Sequence, residues 1–199
     1  MGLPAMKRDR VYTYGDYRGW PDEERWELID GVAWNMSPAP GLRHQRVLIA
    51  LGTMIKNFLD ERLCEVLVAP FDVMLPESPD EQQDSIRTVV QPDLSVICDA
   101  SKLSERGCTG APDWVVEILS PHTSRKDFIE KLSLYERHGV REYWIVDPGN
   151  QYVHAYCLAA EGGYPKAPAV YIAGDRAEST VLEGFTVELS DLFAGDGHG

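Results

Sequence analysis

The sequence predicts an α/β domain: a mixed sheet flanked by helices, with an N-terminal hairpin and a strand-rich C-terminal tail. Three observations point there. Short apolar runs, "WVVEIL" at 114–119 and "REYWIVD" at 141–147, read as strands buried on both faces. Two other segments carry apolar residues at helical spacing instead. Strands and helices alternate through the middle of the chain, which is the pattern of a sheet with helices packed on it.

Taken in order, Thr13 caps a short helix through "YGDYRGW". "RWELIDGVAWNM" is a hairpin whose two-residue turn is Asp30-Gly31, and "SPAP" at 37–40 ends it. "GLRHQRVLIALGTMIKNFLDERL" is the clearest helix, with Val47, Leu51, Met54 and Phe58 on one stripe and Leu48, Ile55 and Leu59 widening it. "EVLVAPFDVML" (65–75) reads as one long strand, followed by an acidic, solvated loop. "VVQPDLSVICD" (89–99) is the next strand, with Pro92 near a strand start or an edge because it has no N–H. After "PDWVVEIL" comes a helix from about Ser124 to His138, with Phe128, Leu132 and Tyr135 as its stripe and Gly139 as its C-terminal cap. "REYWIVD", "YVHAYCL", "AVYIA" and "TVLEGFTVEL" are further strands, and "SDLF" is a final turn.

At 199 residues the chain is read as one domain, 1–199, with its core at about 12–193. No apolar run approaches the ~20 residues of a membrane span, and the N-terminus has no apolar signal region. A cytoplasmic location is expected. The four cysteines, Cys64, Cys98, Cys108 and Cys157, have no zinc-pair spacing and read as small buried thiols. A net charge of −13 argues against broad adhesion to nucleic acid or anionic lipid, so a phosphate-bearing substrate needs local relief from metal ions or a basic patch.

The anomaly is Glu117, a carboxylate inside a buried strand, which needs a partner. Asp93 lies near the start of the preceding strand and Glu117 near the end of its own. If the two strands run antiparallel, both carboxylates point into one cleft. Two carboxylates so placed repel unless one is protonated or a cation sits between them, and a hard divalent ion with oxygen ligands is the usual resolution. Lys131 lies beside the apolar stripe of the following helix and leans over the sheet, with Asp127 four residues earlier as a pairing partner. Metal, carboxylates and a lysine together suit hydrolysis of a phosphodiester.

These residues sit in a set of motifs: "WELIDGVAWNMSPAP…HQRV", "VAPFDVML", "VVQPDLSVICD" and "APDWVVEILSPHTSRKDFIEKLSLYERHGVREYWIVDP". Together they resemble the Uma-two family of restriction-type endonucleases, over roughly residues 12–193. The resemblance implies a restriction endonuclease-like fold of the PD-(D/E)XK superfamily. It implies Asp93 and Glu117 as metal ligands for Mg²⁺ or Mn²⁺, with the backbone carbonyl of Ile118 as another, and DNA as the substrate. In the parent superfamily a lysine falls two residues after the acid; here that position is Leu119, and Lys131 stands as the migrated replacement. Glu27 in "ELIDG" and His44 in "HQR" belong to the family's motifs and complete the candidate site.

His122 in "SPHTS" reads as a loop residue at a helix start. Arg43, Arg46, Arg125 and Lys126, at the starts of the two main helices, form a basic rim if both starts border the cleft. Three readings compete: a metal-dependent DNA endonuclease, with a homodimer suited to cutting both strands; a non-catalytic binding or assembly module that keeps the nuclease fold; and an RNA-directed or structure-specific nuclease that shares the site and differs only in substrate.

Overall fold

The computed structural model describes residues 6–7, 10–21, 25–36, 40–120 and 126–194. The N-terminal part holds β1 (Met6–Lys7), α1 (Tyr14–Tyr17), β2 (Trp26–Ile29) and β3 (Val32–Asn35). Thr13 caps α1, and the Asp16 side chain accepts the Thr13 backbone N–H at 3.1 Å. Asp30 and Gly31 both take positive φ, 52° and 76°, the turn that suits the twist of a two-residue hairpin. The long helix α2 (Leu42–Phe58) buries Val47, Leu48, Leu51 and Ile55 on the expected stripe.

The two long strands expected at 65–75 and 89–99 are each broken in two. The first gives β4 (Glu65–Val68) and β5 (Val73–Met74); the second gives β6 (Val89–Val90) and β7 (Leu94–Ile97). Pro70 and Pro92 lie in the breaks, where a residue without an N–H cannot continue a ladder. After each break the chain changes sheet. Then come β8 (Leu103–Ser104), β9 (Gly107–Thr109) and β10 (Trp114–Ile118). A π-helical turn, Lys126–Lys131, runs directly into α3 (Leu132–Arg137). The expected start of that helix, with His122 and Arg125, falls outside the described residues. Its end is closed by Gly139 at φ 78°: the N–H of Gly139 bonds to the Glu136 carbonyl and that of Val140 to the Tyr135 carbonyl.

The chain finishes with β11 (Glu142–Asp147), β12 (Tyr152–Cys157), β13 (Ala169–Ile172), β14 (Arg176–Glu178), β15 (Thr186–Glu188) and α4 (Leu189–Leu192). The strand expected over "TVLEGFTVEL" shrinks to β15, and "SDLF" is helical where a turn was expected.

The central sheet has the order β13-β12-β11-β10-β7-β4. Only β10 and β11 run parallel, and the π-turn with α3 is the crossover such a pair requires. β10 and β7 are antiparallel, Val116 opposite Leu94, so Glu117 and Asp93 occupy the next position outward. A second sheet, β1-β3-β2-β6-β5-β9-β8, stands beside it.

Alternation along β10 separates the two sides. Trp114, Val116 and Ile118 pack with α2 and the C-terminal tail. Val115 and Leu119 pack with Leu134 and Tyr135 of α3 and with the second sheet. The tail is held by Glu142, fully buried in β11, which accepts hydrogen bonds from Trp144, Ser179, Thr180 and Val181.

Cys64 and Cys98 form a disulfide across the β4–β7 pair, and only Cys108 and Cys157 remain thiols. This corrects the expectation of four free cysteines: spacing along the chain did not reveal that the two ends meet across a ladder. Among the described residues no helix is long and apolar enough to cross a membrane.

Candidate active site

Glu117 belongs to the odd-numbered side of β10 and so faces the crossover helix. Its Oε1 accepts from Lys131 Nζ at 2.7 Å and from the Tyr135 hydroxyl at 2.8 Å. The same ammonium lies 3.0 Å from Glu27 Oε1 and 3.9 Å from Asp127 Oδ1. Glu27, buried in β2, also accepts the Gln91 backbone N–H at 3.0 Å and a hydrogen bond from Lys126. Glu27, Glu117, Asp127 and Lys131 are each no more than 4% exposed.

The π-turn explains how two lysines five residues apart reach one carboxylate. In an α-helix five residues rotate a side chain roughly 140° away from the first. The i→i+5 bonding of a π-helix returns it to the same face. From Lys131 the register becomes α-helical, which puts Tyr135 one turn on, against Glu117.

Asp93 follows Pro92 and leads into β7. Its Oδ2 accepts the Ile118 N–H at 2.7 Å and pairs with His44 Nε2 at 3.1 Å. His44 sits in the first turn of α2 on the buried stripe. With Nε2 donating, its Nδ1 is buried and has no hydrogen-bond partner among the described residues. Asp93 Oδ1 and Glu117 Oε2 likewise have no protein donor among those residues.

All five residues singled out from the sequence, Glu27, His44, Asp93, Glu117 and Lys131, line one cavity of about 180 Å³. Four carboxylates and two ammonium groups surround its floor, with the exposed guanidinium of Arg25 also on its wall, so with every group ionised one negative charge is in excess. The excess falls unequally. Burial pushes the Glu117 carboxyl up to about 8; Lys131 opposes this, but Asp127, Asp93 and Glu27 add to it. Burial acts on Glu27 in the same direction, but Lys126 and Lys131 together overcome it and hold the carboxyl down to about 2. Burial works against the Lys131 ammonium, and the three carboxylates around it outweigh that and hold its pKa well above the usual lysine value. Lys131 therefore stays protonated.

Three participants were read differently from the sequence. Lys126, assigned to an outer rim, points inward to Glu27. Tyr135, assigned to packing, also bonds Glu117. Gln91 drew no notice, because its contribution to Glu27 is a backbone N–H, which leaves no trace in residue type. The spacing Asp127-Lys131-Tyr135 was the available signal for a polar face on this helix. Arg43 and Arg46, expected on a basic rim, are exposed and are not among the residues that line this cavity or the neighbouring cleft.

A sheet with one parallel pair, a crossover helix and converging acids on adjacent strand ends defines a nuclease-like α/β fold. The comparison with solved structures agrees: a crystal structure from Anabaena variabilis, described as that of "a putative nuclease", superposes with a TM-score of 0.70 at 21% identity, covering 92% of this chain and 97% of the other. The chain belongs to the Uma2 family, whose sequence profile, described as "Putative restriction endonuclease", matches residues 14–190. An uncharacterised protein of Synechocystis sp. is 25% identical over 166 residues, 82% of each chain.

Proposed function

We propose that this chain is a metal-dependent endonuclease that hydrolyses phosphodiester bonds in DNA, acting as one domain in the cytoplasm. The observation that carries the reading is the pair Asp93 and Glu117: neighbours across the β7–β10 ladder, in one cavity, each with one oxygen fixed by the protein and one without a donor among the described residues. The family's description points the same way.

The donor set fits a hard divalent ion. Among the described residues no cluster of three or more His, Cys, Asp and Glu has metal-site geometry. Mg²⁺ does not need one, since it is commonly held by one or two carboxylates and keeps several waters. Asp93 and Glu117 would hold it, with the Ile118 carbonyl as a third donor, and Mn²⁺ suits the same oxygens. When bound, such an ion polarises a phosphoryl oxygen and lowers the pKa of water.

The protein's own groups do the rest. Lys131 is not the general base, because it stays protonated. Its ammonium donates one N–H to Glu117 and is ion-paired with Glu27, and it carries three N–H groups in all. An N–H of this ammonium orients the attacking water or stabilises charge on the phosphoryl oxygens. Glu27, held ionised by two lysines, fixes Lys131 in place. His44 orients Asp93 through Nε2. A homodimer would bring two such sites to the two strands of a duplex.

A non-catalytic module has one observation in its favour: Lys131 already satisfies one Glu117 oxygen without any ion. Plasmid nicking with Mg²⁺ or Mn²⁺, beside calorimetric metal titration, separates the readings. Wild type should cut. Glu117→Gln should lose metal binding and cutting together. Lys131→Gln should keep metal affinity and slow cutting by roughly 10²–10³-fold, as for loss of one charge-stabilising donor. Circular dichroism checks that each variant is folded. A metal-loaded wild type that cuts no nucleic acid puts the module reading ahead.

A further inference from the structure

We infer that the cleft beside the candidate site, floored by Tyr17, Asp72 and Gln91 and walled by Trp20, Arg25 and Arg106, binds the nucleotide next to the scissile phosphate of a DNA strand. The inference rests on the nuclease reading above.

Size is the first argument. The candidate active-site cavity, about 180 Å³, accommodates a phosphate group and an ion but falls below the ~300–1,000 Å³ of pockets that enclose whole small molecules. A sugar and base must lie outside it. The neighbouring cleft, about 830 Å³, is within that range, and the two share Arg25 and Gln91 on their walls. A strand leaving the first would pass the shared Arg25–Gln91 pair to enter the second.

The second argument is the division of labour among the polar groups. Gln91 joins the two spaces. Its backbone N–H holds Glu27, while its amide donates to Asp72 at 2.9 Å and to the Tyr17 hydroxyl at 3.1 Å, and accepts from Arg25 at 2.9 Å. Tyr17 in turn donates to Asp72 at 2.9 Å. The floor is therefore internally bonded and fixed. Arg18 is paired with Asp84. Arg25 and Arg106 are different: both are exposed, and neither has a carboxylate partner among the described residues.

Two exposed guanidiniums suit phosphate oxygens, which they bind as a fork. Trp20 lines the same cleft; its ring packs against Tyr12, Tyr17 and Trp26, and its exposed part offers a base an aromatic surface. In a chain of net charge −13, cations gathered in one cleft supply the local relief that a polyanion needs. The sequence also places Asp22, Glu23 and Glu24 between Trp20 and Arg25, outside the described residues.

The test is binding of a short fluorescein-labelled single-stranded DNA, followed by fluorescence anisotropy over a salt series, with EDTA and with Ca²⁺. Arg25→Ala and Arg106→Ala should each weaken binding by roughly tenfold, the size of one lost charge-assisted contact. Each should also reduce the salt slope by about 0.7, the value for one phosphate contact on a single strand. That slope separates phosphate contact from a merely structural role. Arg62→Ala, the same charge change outside both cavities, should alter neither quantity. Wild-type affinity and slope in both cleft variants overturn the inference, and if the wild type still nicks plasmid the nuclease reading survives it. Weakened binding in a protein that never cuts keeps the cleft as a strand-binding surface but sinks the nuclease reading and the scissile-phosphate placement with it. A wild type that neither binds nor cuts overturns both.

Discussion

Glu27 and Glu117 lie on either side of one ammonium, and their environments drive them in opposite directions. Glu27 is held down to about 2, so its stabilising contribution is present above the usual carboxylate value of 4.5 and is lost as pH falls through about 2. Glu117 is raised to about 8, so the folded protein binds a proton that the unfolded chain releases, and stability falls as pH climbs from 4.5 through about 8. Thermal melts of the metal-free protein across this range should show the two signs. The stability of Glu117→Gln relative to wild type should improve as pH rises from about 5 to about 9. Glu27→Gln should be destabilised at about pH 7, with the deficit shrinking toward about pH 2. Parallel curves for the two variants would mean that the carboxylates are equivalent. Much of this site was legible in the sequence, because a buried carboxylate in "WVVEIL" and an acid after Pro92 are chemically conspicuous. The unequal sharing of lysines was not, since it depends on Lys126 turning inward and on a backbone N–H.

Helices and strands were readable where periodicity ran uninterrupted, as in α2, β10 and β11. Periodicity reports a run of apolar residues but not which sheet the run joins. The breaks at Pro70 and at Pro92 therefore went unread, and β8 and β9, two and three residues long, were too short to carry a pattern. Two glycines at element ends separate two kinds of backbone constraint. At Gly139, φ is 78° and a Cβ would meet nothing within 4 Å, so Gly139→Ala should cost only the left-handed backbone penalty, ~1–2 kcal/mol. At Gly107, φ is 135° and a Cβ would stand 2.3 Å from the Asp72 carbonyl oxygen, so Gly107→Ala should cost at least ~3 kcal/mol. Urea denaturation of both variants gives the comparison. Equal losses would mean that β9 can move away from Asp72.

For the molecule as a whole, a cation held between Asp93 and Glu117 would make cation binding and stability one measurement. A ligand at 100 times its Kd adds ~2.7 kcal/mol to a protein that binds it only when folded. In a chain of this length that corresponds to a rise in Tm of roughly 5–10 °C. Mg²⁺ should produce a rise of this order in wild type and little in Glu117→Gln. The same rise in both would place the ion elsewhere.

The contacts of the site also differ greatly in the length of chain they close. Lys131 and Glu117 are 14 residues apart, Ile118 and Asp93 are 25, His44 and Asp93 are 49, and Lys126 and Glu27 are 99. Contacts between distant positions are the slow ones to form. The parallel β10–β11 unit, with its crossover, can assemble from consecutive chain, whereas Glu27 arrives only when the N-terminal hairpin docks. During refolding from urea, nicking activity should therefore return no earlier than burial of the hairpin's Trp26, followed by fluorescence. If the proposed activity is present, this wiring confines it to the finished molecule: a half-folded chain lacks Glu27 beside Lys131 and has no complete site to cut with.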